Sequence, residues 1–394
     1  MGIGVVALQK TLKAELERLT IPKSARAARR LDRKGLPEFD PGPERVLAEV
    51  FSWLCYAQDQ SASRDGGVAR HFSLIDGWSA SYPETTGYIA DTFVAYGEQT
   101  HDEQLIKRAR RMLDWLVSIQ FADGAFQGGM IDQVPRLPVV FDTGQILTGL
   151  AAGTRLDASY CEPMVRAADW LIRAQDPDGC WRKHETRFAL AGEKVYETHA
   201  AIGLFRAAAV ERNRGYLEGA RAQVDWALGH QRPNGWFAQC CLTDPQNPLT
   251  HTLGYALRGV VEAYIATGDE KYLNAACLTA DGLLRAFEPD GRLPGRLDEE
   301  WRPAADWVCL TGASQVAESL LLLSDRTGRD DYKRAAKRAN SYIRRTVAMT
   351  GPPEIRGGVK GSFPVDGWYG RWQYLNWACK FTIDSNLAEL RFSH

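Results

Sequence analysis

The segment WLIRAQDPDGCW, residues 170–181, sets a Trp, a Gln five residues on, an Asp-Gly pair and an aromatic into one short run. The same spacing recurs in WLVSIQFADGAF (115–126) and in WALGHQRPNGWF (226–237), where Asn-Gly stands for Asp-Gly. Further out, WLCYAQD from Trp53 keeps the Trp and Gln58, with DGG at Asp65 delayed by an insertion. GLLRAFEPDGRL from Gly282 keeps the Asp-Gly, and YIRRTV from Tyr342 is a degenerate sixth copy. The anchors Trp53, Trp115, Trp170, Trp226, Gly282 and Tyr342 are separated by steps of 62, 55, 56, 56 and 60 residues. A period of that size marks an array of supersecondary units.

Between anchors the pattern is helical. In DEQLIKRARRMLDWLVSIQ (102–120), Leu105, Ala109, Leu113, Leu116 and Ile119 share one face and the basic residues take the other. The alternating segments, such as DTGQILTGLAAG and HTLGYALRGVVEAYIATG, are apolar nearly all round and belong in an interior. The spacing predicts outer helices near 43–58, 102–120, 158–175, 213–231, 270–287 and 329–347. Inner helices are predicted near 85–98, 142–154, 197–211, 251–267, 311–326 and 372–390. Six pairs favour closure into a ring, because an open solenoid needs polar capping repeats. The expected fold is therefore an all-α (α/α)6 toroid over residues 43–394, its final inner helix closing against the first outer one. The repeated Trp, Gln and Asp-Gly are expected to staple each outer helix to the loop after it. Residues 1–42 form an N-terminal helical extension, with an amphipathic stretch VVALQKTLKAELERL and a basic one, KSARAARRLDRKG. Such a segment packs on the toroid or docks on an anionic membrane or a protein partner.

A formal net charge of −1 gives no reason to expect a nucleic-acid partner. No apolar run reaches the roughly 18–20 residues of a spanning helix, and the first residues lack the regions of a signal peptide, so a cytoplasmic protein is expected. The eight cysteines show no CxxC pair and are expected to be buried free thiols. Cys240, Cys241 and His251 do not match zinc spacing, so no metal and no cofactor is expected.

In a toroid, the loops that lead into the inner helices line the mouth of a central cavity. Here they read YPETTGY (82–88), VFDTGQ (140–145), YETHAA (196–201), LTHTLGY (249–255) and CLTGASQ (309–315). The recurring Thr86, Thr143, Thr198, Thr252 and Thr311 are expected to cap helix N-termini. Beside them stand Glu84, Asp142 and Glu197, carboxyls that would supply an acid and a base or nucleophile for glycosidic cleavage, their separation deciding retention or inversion. His199, His251 and Tyr255 offer the alternative of taking a proton beside a uronate carboxylate held by Arg371. The aromatics Trp78, Tyr82, Tyr88, Tyr196, Trp307, Trp368, Tyr369, Trp372, Tyr374 and Trp377 fall in entry loops or at inner-helix starts, with Asp306 beside Trp307, and are expected to bind sugar rings. The Gly- and Pro-rich stretch 349–371 reads as a lid.

WLIRAQDPDGCW resembles the QW-type repeats of the terpenoid cyclase and prenyltransferase superfamily, whose members are six-hairpin α/α toroids. A triterpene cyclase would carry DxDD followed by Thr; only Asp142 and Thr143 in VVFDTGQ match it. The same architecture hosts glycosidases, unsaturated-uronide hydrolases, polysaccharide lyases and sugar epimerases, and the chain resembles toroid proteins of bacterial surface-polysaccharide biosynthesis. That resemblance implies a carbohydrate-active enzyme, a hydrolase or a uronate lyase, acting on an acidic oligo- or polysaccharide. A non-catalytic glycan-binding or assembly protein is the alternative, with a terpenoid cyclase-like enzyme or a sugar epimerase behind it.

Overall fold

Gln175 donates through its amide nitrogen to the carbonyl of Gly179 at 2.8 Å and to that of Gly219 at 2.9 Å, joining one outer helix to the turn after it and to the next outer helix. Gln120 does the same with Gly124 and Pro163, at 3.0 and 2.9 Å. In the turn itself Asp178 Oδ1 accepts from the Cys180 amide and Gly179 takes a φ of 94°. A Cβ on Gly179 would overlap the carbonyl oxygen of Ala222, so this glycine is required by close approach as well as by its left-handed backbone. Gly124, Gly235 and Gly291 repeat this relationship with Arg166, Leu278 and Arg338. The repeat motif is thus a covalently local device with a long-range partner.

In the computed structural model, which describes residues 21–212 and 214–392, these staples hold an all-α toroid. Helix α1 (Lys23–Asp32) precedes the ring. The outer helices are α2 (Pro43–Gln60), α4 (Glu103–Ile119), α6 (Cys161–Ala174), α8 (Tyr216–Leu228), α10 (Glu270–Ala286) and α12 (Asp330–Arg344). The inner helices are α3 (Pro83–Thr100), α5 (Val140–Gly153), α7 (Thr198–Val210), α9 (Thr250–Thr267), α11 (Leu310–Thr327) and α13 (Asn376–Arg391). Each inner helix packs on its two inner neighbours, and α13 packs on α2 and α3 to close the ring, as the sequence pattern requires. Every residue of α5 is buried, whereas α4 buries Leu105, Ala109, Met112, Leu113, Trp115 and Leu116 along one stripe. Small residues let the inner helices approach: Gly149 faces the Gly87 carbonyl and Gly203 that of Gly144, with no room for a Cβ.

The sixth staple is displaced along the chain. Gly357, at a φ of 79°, lies against the Glu49 carbonyl of α2, and Trp53 donates its indole N–H to the Glu354 carbonyl at 2.9 Å. The ring therefore closes by the same contact that builds it.

Five short strands among the described residues were not anticipated. β1 (His71–Ser73) lies between β2 (Gly77–Trp78) and β5 (Gln373–Leu375), while β3 (Val308–Cys309) pairs with β4 (Ser362–Phe363). Because Gln373–Leu375 pairs with β1, the last inner helix begins at Asn376 rather than near 372. The stretch 349–371 is tied down by this pairing and by Gly357, so it is part of the ring closure rather than a free flap.

The threonines do not cap. Thr86 and Thr143 donate to the carbonyls four residues back, Tyr82 and Val139, at 2.8 Å each. Each also accepts an amide from the preceding loop, Val68 and Phe126, at 3.0 Å. They stitch the loop to the helix start, which a cap facing the helix N–H groups could not do.

Helix α1 lies against the toroid with Ile21 and Ala25 buried. Its buried Asp32 accepts from Lys360 Nζ at 2.6 Å and from the Val365 amide at 2.8 Å, and Arg29 and Arg33 pair with Asp366. The amphipathic stretch VVALQKTLKAELERL falls outside the described residues. No described helix is long and apolar enough to cross a membrane.

Candidate active site

The inner helices begin at one end of the ring, and the first turns of α3, α5, α9 and α13 line an open-mouthed cavity. Glu84, second residue of α3, and Asp142, third residue of α5, both line it and are both buried. Burial pushes the Glu84 carboxyl up to about 7, opposed by a hydrogen bond from Tyr82 and by the positive charge of Arg70. Asp142 is driven well above the usual carboxylate range, first by burial and then by the charge of Glu84, while the Gly129 amide at 3.0 Å opposes the shift. Two buried carboxyls at one cavity do not both ionise near neutrality, and this environment assigns the proton to Asp142.

Arg70 brings the positive charge. Its guanidinium lies over the Trp377 ring at 4.8 Å and the Tyr82 ring at 5.9 Å, a cation–π seat that fixes a planar cation in the wall. Its Nη1 donates to His71 Nδ1 at 3.0 Å. Among the described residues no carboxylate lies within ion-pair distance of it.

On the remaining wall, His251 and Tyr255 face the cavity with Tyr88, Tyr196 and Tyr369. His251 Nδ1 lies 2.9 Å from the side-chain amide of Gln315. Burial depresses His251 to about 4, so it is neutral at neutral pH. Tyr369 accepts the Trp377 indole N–H at 2.8 Å, and its ring is tilted against that of His251 with centroids 5.3 Å apart. Phe188 and Leu242 reach the mouth from the loops before α7 and α9.

Of the residues singled out from sequence, Glu84, Asp142, His251, Tyr255, Tyr82, Tyr88, Tyr196, Tyr369 and Trp377 thus meet at one cavity. Others do not line it. Glu197 is buried at the end of a 3-10 turn, Val195–Glu197, with Oε2 unpartnered among the described residues, and burial raises it to about 8. His199 sits below the floor, bonded to Gln145 at 2.8 Å and packed 4.3 Å from the Tyr255 ring. Trp78 packs with Trp53, Tyr56 and Phe72, away from the cavity lining. Trp307 is buried with Leu249 and Cys309, and the neighbouring Asp306 is exposed. Trp372 and Tyr374 are buried in the core, whereas Trp368 is 74% exposed with Arg371 stacked on it at 5.0 Å. Arg371 is therefore not the cavity's cation; that position belongs to Arg70, in the loop GGVARHFS, which sequence reasoning passed over. Its signal was its place between an Asp-Gly turn and an inner helix. Cys240, Cys241 and His251 form no metal cluster: the Cys240 thiol donates to the Thr252 carbonyl and His251 is committed to Gln315.

Among solved structures the chain is similar to an unsaturated glucuronyl hydrolase specific for heparin, with a TM-score of 0.71, 16% identity and coverage of 90% of this chain and 98% of that one. It is similar also to the glycosaminoglycan-degrading unsaturated glucuronyl hydrolase of Bacillus sp. GL1, with a TM-score of 0.70, 16% identity and coverage of 88% and 96%. A third likeness is to the cellobiose 2-epimerase of Bacillus thermoamylovorans B4167, with a TM-score of 0.69, 11% identity and coverage of 87% and 97%. No protein-family model and no curated protein matches the chain. At these identities the likeness establishes the toroid, and these neighbours are carbohydrate-active toroids.

Proposed function

We propose that the protein hydrolyses a glycosidic bond next to a uronate at the end of an acidic oligosaccharide. The observation that carries this reading is the meeting of Glu84, Asp142 and Arg70 at one cavity, two carboxyls with separated proton affinities beside a cation that has no carboxylate partner among the described residues. Arg70 holds the sugar carboxylate. Asp142, protonated, gives its proton to the leaving oxygen; Glu84, ionised, takes one from the water that adds to the sugar, so that one water is consumed per bond broken. Tyr82, Tyr88, Tyr196 and Trp377 supply ring faces and hydroxyls for the sugar. The unsaturated glucuronyl hydrolases among the similar structures make an unsaturated uronide the first substrate to try.

The test is incubation with unsaturated and saturated uronate-ended disaccharides and with neutral ones, read by mass and by the ultraviolet absorbance of the unsaturated uronide. Products heavier by one water, lost in Asp142→Asn, support the reading; elimination products, or none from any uronide, overturn it. Epimerisation of a neutral reducing sugar is the second reading, favoured by His251 and His199 flanking Tyr255 at 4.3 Å each. It would give an isomer of unchanged mass. A role in bacterial surface-polysaccharide metabolism, and contact of the exposed Arg30 and Lys34 of the basic segment with an anionic partner, belong to this proposal.

A further inference from the structure

Two of the cavity's aromatic side chains depend on a loop that the body of the toroid does not hold alone. Residues 359–375 carry Tyr369 and lead directly to Trp377. Inside this loop the Ser362 hydroxyl donates to the Tyr369 carbonyl at 2.6 Å and accepts the Tyr369 amide at 3.0 Å, and the Trp372 amide donates to the Val365 carbonyl at 2.9 Å. The outward side of the same loop is gripped by α1. Asp32 binds Lys360 and the Val365 amide, and Arg29 and Arg33 converge on Asp366 at 2.7 and 3.1 Å. From Asp366 the path to the cavity is three residues along the chain to Tyr369, whose hydroxyl holds the Trp377 indole, on whose face Arg70 rests.

We propose that α1 is a clamp on the active-site wall: Asp32, Arg29 and Arg33 are positioning residues that hold the 359–375 loop, and through Tyr369 and Trp377 they set the place of Arg70. The grip has two parts. Asp32 and Lys360 are buried, so their pairing resists salt; Arg29 and Arg33 are 29% and 58% exposed at the side chain, so their pairing with Asp366 yields to it. The clamp accounts for the arginines of a basic segment by an acidic residue of the same chain. Its effect on substrate rests on the proposed function, whereas its effect on the loop does not.

The experiment compares wild type with Arg29→Ala/Arg33→Ala, Arg29→Lys/Arg33→Lys and Asp32→Ala, with Arg334→Ala on the outer helix α12 as control. Hydrogen exchange is followed at the Val365, Tyr369 and Trp372 amides. Expected are roughly 10-fold faster exchange at these amides in the double alanine variant, unchanged exchange in α5 and α9, and partial rescue by lysine. With a uronate-ended substrate, KM rises about 10-fold while kcat stays near wild type. Raising salt to about 0.5 M raises the wild-type KM by a larger factor than the double variant's, in which only the Arg70–carboxylate contact is left to screen. Unchanged loop exchange in both alanine variants overturns the clamp, and so does faster exchange spread evenly over the whole ring. If the loop loosens as expected while wild type turns over no uronide, the clamp stands and the functional reading falls.

Discussion

Asp142 and Glu84 stand at the starts of two neighbouring inner helices and look into the same cavity, where the charge on Glu84 raises the proton affinity of Asp142. The repeat makes this geometry: one period of the toroid carries a helix start to the next place around the rim. Their separated affinities give the pair its division of labour. Asp142→Asn should lower kcat by roughly 10²- to 10⁴-fold, with substrate affinity within a few-fold of wild type by calorimetry. Loss of binding in parallel with activity would make Asp142 a ligand for substrate and not its acid.

The pH profile follows from the same pair. Glu84 works ionised, so kcat/KM rises with pH through about 7; Asp142 works protonated, so the rate falls again at higher pH. Arg70 lowers the Glu84 value, so Arg70→Ala should move the acid limb upward. An acid limb unmoved by that substitution would assign it to another group.

Arg70→Ala should also raise KM for a uronate-ended substrate by about 30-fold, equivalent to ~2 kcal/mol, and leave a neutral analogue nearly unaffected. Lysine at that position should recover only part, since it cannot lie flat on Trp377 while bridging a carboxylate. Equal losses on both substrates would show that Arg70 serves the wall alone.

Glu197 predicts a stability effect of definite sign. Its folded value is raised to about 8, above the unfolded value, so the folded state holds its proton more firmly. The associated stability is fully present below the unfolded value and is lost as pH rises toward about 8. Glu197→Gln should therefore raise Tm at pH 8, by at least about 2 °C, and change it much less at pH 4.5. Thermal denaturation at the two pH values decides it, and destabilisation at pH 8 would mean that the charge of Lys194 outweighs burial.

The staple is testable far from the cavity. Gln175→Ala removes the donor that ties the Gly179 carbonyl to the Gly219 carbonyl of the next outer helix, and should cost about 1–3 kcal/mol in denaturant unfolding while kcat is kept. Gly179→Ala should cost more, because the added carbon meets the Ala222 backbone.

The ring was legible because its determinants are local and repeated: Trp, Gln and Asp-Gly lie within one short run, and the helices between them show their buried faces by spacing. What escaped depends on pairing distant in sequence. Arg70 and Arg371 both sit near aromatics, and only the pairing of β1 with β5, which brings Phe72 opposite Tyr374, decides which one faces inward. Trp372, at a φ of 64°, is turned into the core by that same join. Glu197, expected at the cavity, is turned away from it for a subtler reason. Its turn is 3-10, advancing about 120° per residue rather than about 100°, and Tyr196 faces the cavity in its stead.

Arg70 and Trp377 come from opposite ends of the ring's chain and are joined only where α13 seals against α2 and α3. During synthesis, then, five hairpins can stack while the cavity still lacks a side. A ribosome-held chain stopped before Asn376 would be extensively helical and catalytically silent, and the interior would stay open to chaperones until the final helix emerged.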